Sequence, residues 1–240
     1  MIMGPSGDGL SKRDSGGNVP ATCDVVHLPI VLILLTLIFS GCYFRSPSAK
    51  YYTLSAMQCP EDSIKAAGTV SRFTVAVGPV ILPDMLRRPQ IAVRAENHQM
   101  VFSEFHKWAG LLKDDIKRVM TENLSSLLAS EGATVFTDDT LMEPDYRVVV
   151  NINRFDGRPG DSICLDAVWT LKDTKRQDSA VFHYHVTEQC PGQTYTDIVH
   201  TQSLAIADLS HELADKINEI VHSKTHGSQT EASAPANAGK

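Results

Sequence analysis

The chain has 240 residues, 42% of them hydrophobic, and a formal net charge of −6. That length and apolar share can build the core of one ordinary domain with tails, which excludes global disorder. A mildly acidic chain with no basic run longer than two residues argues against nucleic acid as a partner, and its overall charge gives it no reason to lie on an anionic membrane.

The first 22 residues are rich in Gly, Ser and Pro and carry a weak basic pair, Lys12-Arg13. A compact apolar run follows, Leu28 to Phe39. As a helix it would cover about 18 Å, too little for a hydrocarbon core of about 30 Å. It has the length of the hydrophobic part of a secretory signal. Ser40-Gly41 then place two small residues before Cys42, the context a signal peptidase needs. The stretch resembles a bacterial lipobox, whose cysteine takes a diacylglyceryl thioether, becomes the new N-terminus and is then N-acylated. Residues 1–41 are therefore expected to be a removed signal peptide and Cys42 the lipid attachment site. The alternative is an uncut signal anchor. Two or three acyl chains would make the attachment effectively permanent. Tyr43 follows, where Asp favours inner-membrane retention in enterobacterial sorting, so the expected destination is the outer membrane.

Residues 42–50 read as a lipidated tether and 51–221 as the folded domain. Tyr51 to Met57 reads as a first strand, and Gln58 to Ser71 as a polar connector. Arg72 to Val80 alternates through Phe73, Val75 and Val77 as a strand does. Pro79, Pro83 and Pro89 then predict a turn-rich segment that is no regular central strand. Gln90–Arg94 and Gln99–Phe102 are short strand candidates. The clearest helix runs from about Trp108 to Ser130, with Leu112, Ile116, Val119, Leu124, Leu127 and Leu128 on one face, and Gly132 suits its C-terminal end. Ala133–Thr137 is the next strand. An antiparallel meander follows: Asp145–Phe155, Ser162–Leu171 and Ala180–Glu188, the first two joined by Asp156-Gly157-Arg158-Pro159-Gly160. A last helix spans about Thr196 to Val221, and 222–240 reads as a disordered tail. The expected fold class is α+β, a two-layer domain in which a largely antiparallel sheet is packed by two long helices.

The cysteines fall at 23, 42, 59, 164 and 190. Processing would remove Cys23 and acylate Cys42. Cys164 and Cys190 lie near the ends of neighbouring predicted strands and are the expected disulfide, with Cys59 left over. No Cys-x-x-Cys spacing occurs, so no metal site is expected.

Catalytic patterns are absent: no Gly-x-Ser-x-Gly elbow, Ser-x-x-Lys, P-loop or Gly-x-Gly-x-x-Gly. His211-Glu212-Leu213-Ala214-Asp215 puts Asp where a zinc protease needs its second histidine, so it reads as a polar helix face. His183 and His185 share one side of a strand without a third ligand implied, and read as a solvent-facing surface. Trp108 and Trp169 read as core or interface residues. In Val77 to Arg94, apolar side chains alternate with arginines around fixed prolines, a composition that suits a protein interface as well as a rigid loop capping the sheet.

That segment resembles the auxiliary lipoproteins of MCE-type ABC transport systems, the PqiC-like family. The landmarks after Cys42 are Tyr51-Tyr52-Thr53-Leu54, Gly78-Pro79-Val80, Leu82-Pro83, Leu86, Arg88-Pro89-Gln90 and Arg94. Trp108-Ala109 and Glu122-Asn123-Leu124 follow. The resemblance implies a non-enzymatic subunit without a cofactor, lipid-anchored on the periplasmic side of the outer membrane. It implies an MCE-domain protein and an ABC permease/ATPase as partners, self-assembly, and a role in moving phospholipids or other hydrophobic compounds. Leu86, Arg88, Gln90 and Arg94 are the expected partner-binding residues. The other readings are a stand-alone lipid-binding lipoprotein, and an envelope hydrolase using His211 or the His183/His185 pair.

Overall fold

A computed structural model describes residues 47–58 and 72–232, with side chains described as far as Ser223. Cys42 and Cys59, like the connector 59–71, lie outside the described residues. In chain order the elements are β1 (Lys50–Tyr52), β2 (Phe73–Ile81), β3 (Gln90–Arg94), β4 (Met100–Trp108), α1 (Leu112–Leu127), β5 (Ala133–Thr137), β6 (Tyr146–Gly157), β7 (Ser162–Asp173), β8 (Ser179–Gln189) and α2 (Tyr195–Ala232). The fold class is α+β, as the sequence predicts.

The strands form two mixed sheets, ordered β1-β4-β3 and β5-β2-β6-β7-β8. The meander β6-β7-β8 is antiparallel, as expected, with Val150 opposite Trp169 and Trp169 opposite Phe182. The parallel pairings were not legible. β2 runs parallel to both β5 and β6, and β1 runs parallel to β4. A strand flanked on both sides and covered by helices reads as a near-continuous apolar run, and Val75, Ala76 and Val77 are all fully buried.

β2 also corrects the expectation for Pro79. The strand continues through Gly78-Pro79 to Ile81 in the middle of its sheet, with a register shift against β6 between Val77 and Val80. The proline is tolerated because the pairing with β5 ends at Val77, so the missing amide leaves no rung unfilled on that side. Gly78 sits at φ +121°, and a Cβ there would lie 2.4 Å from the Asp138 carboxylate. Only glycine meets both conditions.

The helices cover one face of the five-stranded sheet. α1 buries Leu112, Ile116, Val119, Met120 and Leu124, and Asp114 and Asp115 sit in its first turn, where negative charge complements the helix dipole. Its chain exits through Gly132 in the left-handed conformation at φ 74°, the expected stop. α2 buries Ile198, Ala205, Ile206, Leu209, Leu213 and Ile217 against Val148, Leu165, Trp169 and their neighbours. Its helical backbone continues to Ala232, past the Val221 boundary read from the sequence, because a packed helix can propagate one hydrogen bond per residue beyond its last buried turn. Residues 233–240 lie outside the described residues. No described helix is long and apolar enough to cross a membrane.

Candidate functional site

The chain enters the domain through β1, and the structure shows what holds that entry in place. Only Lys50–Tyr52 pairs as a strand, not the whole of Tyr51–Met57. The next residues form a strap held by helix side chains. The Leu54 amide donates to Asp115 Oδ2 at 2.7 Å, and Arg118 Nη2 donates to the Leu54 carbonyl at 2.8 Å. The Ser55 amide donates to Ser203 Oγ on α2 at 3.1 Å, and the Met57 amide to Asn123 Oδ1 on α1 at 2.9 Å. Backbone donors that satisfy helix side chains are not available for a β-ladder, which is why the strand stops early. Asn123 is fully buried, and its Nδ2 donates to Ser210 Oγ at 3.2 Å, so one amide joins strap, α1 and α2.

Tyr52 is fixed from the side. Its hydroxyl lies 2.7 Å from His106 Nδ1, and the His106 ring stacks on Tyr195 at 4.0 Å. Burial, and secondarily the charge of Lys50, lowers the His106 pKa below its ordinary value.

The Pro/Arg segment lies beside this entry, since the Trp108 amide bonds the Pro89 carbonyl and the Ala109 amide bonds the Tyr52 carbonyl. It divides the four expected interface residues. Leu86 ends a 3-10 turn and is 5% exposed, packed in the core, so it offers nothing to a partner. Arg94 is engaged internally: its Nε and Nη2 meet the two carboxylate oxygens of Asp156 at 2.7 and 3.0 Å. Arg88 is exposed and Gln90 half-buried. The Arg88 guanidinium lies 4.9 Å above the Phe102 ring centroid, and Gln90 is in register with Lys107, which is in register with Tyr51.

The disulfide expectation is corrected: Cys164 and Cys190 are both buried free thiols. Cys164 stands opposite Thr187, and Cys190 lies three positions further on. That offset is about 10 Å along a strand, beyond the Cα separation a disulfide spans. Burial raises the Cys164 pKa above the ordinary thiol value, so this thiol is not activated.

The remaining candidates resolve as follows. His183 and His185 face solvent from β8, with His185 Nδ1 3.4 Å from Asp166. His211 is exposed on α2. Among the described residues no three His, Cys, Asp or Glu side chains gather as metal ligands would. Trp108 and Trp169 are buried, and Trp169 stacks on Phe182 at 4.2 Å. Sequence reasoning missed Asp115, Asn123 and Asp156. Asn123 had a signal, an amide between Met120 and Leu124 on an otherwise apolar helix stripe. Asp156 read as a turn residue, and nothing local marked it as the buried partner of an arginine 62 residues away.

A family model described as ABC-type transport auxiliary lipoprotein component matches residues 52–214. The chain belongs to this family. The auxiliary-lipoprotein match begins at Tyr52, the last residue of β1, and ends at Ala214, so it takes in the strap, β2 to β8 and most of the packed part of α2. Two crystal structures share the fold. One, of an uncharacterized protein, is 20% identical and aligns over 71% of this chain and 99% of its own, with a TM-score of 0.59. The other, protein XCC0632 from Xanthomonas campestris, is 14% identical and aligns over 75% of this chain and 99% of its own, with a TM-score of 0.56. A search of curated proteins finds no match. As a member of this family the auxiliary lipoprotein is a component of an ABC-type transport system. That description carries no catalytic step.

Proposed function

We propose that this protein is a lipid-anchored docking subunit of an MCE-type ABC system that moves phospholipids or other hydrophobic compounds across the envelope. Cys42 carries the acyl chains and holds the domain on the periplasmic side of the outer membrane. The family match over residues 52–214 carries the reading. Support comes from Ser40-Gly41-Cys42 after a short apolar run, and from the strap that fastens the first residues of the domain to both helices. A strap held by two helices transmits the pull of an anchor into the core rather than letting the strand peel away. Docking needs a free surface, so Leu86, which is buried, is not part of it, and Arg94 is engaged by Asp156.

The test is isolation of the C-terminally tagged full chain from its native membranes. Intact mass should give a chain starting at Cys42 with diacylglyceryl and N-acyl additions. An MCE-domain protein and an ABC permease should co-purify after cross-linking. An unmodified chain that begins upstream of Cys42 overturns the anchor. An acylated chain that brings down neither partner overturns the docking role.

A further inference from the structure

The exposed edge of the three-stranded sheet gathers aromatic and cationic side chains beside the tether. Tyr51 is 66% exposed. It is in register with Lys107, and Lys107 with Gln90. Residues in register on adjacent strands project from the same face. The β3–β4 register shifts between Gln90 and Ala92; Arg88 stands two residues before Gln90, its guanidinium 4.9 Å over the Phe102 ring centroid. Leu111, 57% exposed, stands at the same end of the sheet, two residues past the amide that bonds Tyr52.

The charge of this face is one-sided. No ion pair forms at Arg88 or Lys107 among the described residues, whereas the neighbouring acids Asp84 and Asp114 are paired with Arg87 and Lys113. Glu104 is the remaining acid on β4 near the face. In a chain of net charge −6 this is a local reversal that the whole-chain charge conceals. Its position is constrained as well. Cys42 and Lys50 are eight residues apart, a reach of at most about 27 Å. An acylated Cys42 therefore keeps the face within one tether length of the bilayer surface.

We infer that the face formed by Tyr51, Arg88, Gln90 and Lys107 is a membrane-contact surface that binds the net-anionic phospholipid headgroups of the lipid leaflet holding the anchor. Arg88, held flat by Phe102, presents its N–H edge to phosphate oxygens. Lys107 adds a point charge. Tyr51 has the amphipathic ring that favours the interface between headgroups and acyl chains. The inference rests on acylation of Cys42.

The experiment uses the full acylated chain bound to vesicles of phosphatidylcholine alone, or of phosphatidylcholine with phosphatidylglycerol. Lysine acetylation by a water-soluble reagent is followed residue by residue. Lys107 should react about fivefold more slowly on the anionic vesicles, the effect of roughly one cation at such a surface. Lys172, an exposed residue of β7, should react equally on both. About 0.5 M salt should remove the difference by screening, and so should Arg88→Glu combined with Gln90→Glu. Flotation of the protein with vesicles, but with equal Lys107 rates on both, overturns the contact surface and leaves the anchor standing. Failure to float overturns the anchor on which the inference rests. Slowing of Lys107 only when an envelope protein is added overturns the inference in favour of a protein interface.

Discussion

Arg94 on β3 and Asp156 on β6 face each other with two parallel hydrogen bonds, Nε to Oδ1 at 2.7 Å and Nη2 to Oδ2 at 3.0 Å. The carboxylate is 2% exposed and the arginine side chain 32%. The pair joins the three-stranded sheet to the five-stranded sheet. Arg154 Nε also approaches Asp156 Oδ1, at 3.3 Å. An arginine that the sequence presents as an interface residue thus serves as a structural tie.

Arg94→Ala should destabilise the fold by about 2–3 kcal/mol, because it strips a near-fully buried carboxylate of its bidentate partner while Arg154 and partial exposure of the arginine side soften the loss. Urea denaturation of the full chain checks this. Arg88→Ala, by contrast, should cost about 0.5–1 kcal/mol, the worth of an exposed cation–π contact. Equal effects at the two arginines would contradict the assignment.

Asn123→Leu should cost about 1–3 kcal/mol, since it removes the buried hydrogen bonds of Asn123 to the Met57 amide and to Ser210 Oγ. The loss should be local first. Hydrogen exchange should show residues 53–57 opening at lower free energy than in the parent, with the meander β6-β7-β8 unchanged. Uniform acceleration across the domain would mean that Asn123 acts on the core as a whole rather than on the strap.

Asp145 gives an acid-side dependence. Burial would raise its pKa, but Lys175 and the Thr74 hydroxyl and amide outweigh that and hold it below the ordinary 3.8. The folded state then favours the carboxylate more than the unfolded chain does. Its contribution is complete above the unfolded value and is lost as pH falls through the lower folded value. Asp145→Asn should therefore be less stable than the parent at pH 7, by about 1–3 kcal/mol for a charged hydrogen bond. The gap should close below about pH 4, read from urea midpoints across pH. A gap that widens in acid would reverse the sign and refute the pairing.

The thiols at Cys164 and Cys190 should remain unlinked under mild oxidation, because their positions on β7 and past β8 are out of disulfide register. Mass spectrometry of the oxidised chain should show no cross-linked peptide containing both. Alkylation of Cys164 in the native state should be slow and should accelerate on unfolding, since the residue is only 5% exposed and burial keeps it protonated. A 164–190 cross-link formed without loss of stability would overturn the β7–β8 register.

Much of this domain was written in local pattern. The strand candidates Gln90–Arg94 and Ala133–Thr137 match β3 and β5 to the residue, and alternation predicted the meander to within two residues at each end, because side-chain period two is a property of a single strand. The stripes of α1 and α2 were legible for the same reason at period 3.6. The candidate site was not. Arg88, Gln90, Leu86 and Arg94 look alike in sequence, as apolar and polar residues around prolines. Burial separated them: Leu86 went into the core, Arg94 to an acid on another sheet, Arg88 stayed exposed and Gln90 half-buried.

The sequence by itself determined the apolar faces, the turn positions, the short apolar run before Cys42 and the family landmarks, since each depends on neighbours a few residues apart. Tertiary structure alone decided that β2 is parallel to β5 and β6, that Asn123 and Asp115 hold the entry strap, and that Tyr51, Lys107 and Gln90 form one row. Those relations join residues tens of positions apart. Nothing in a local window specifies which distant carboxylate, amide or strand edge will be satisfied, because that is fixed only when burial removes water as the competing partner.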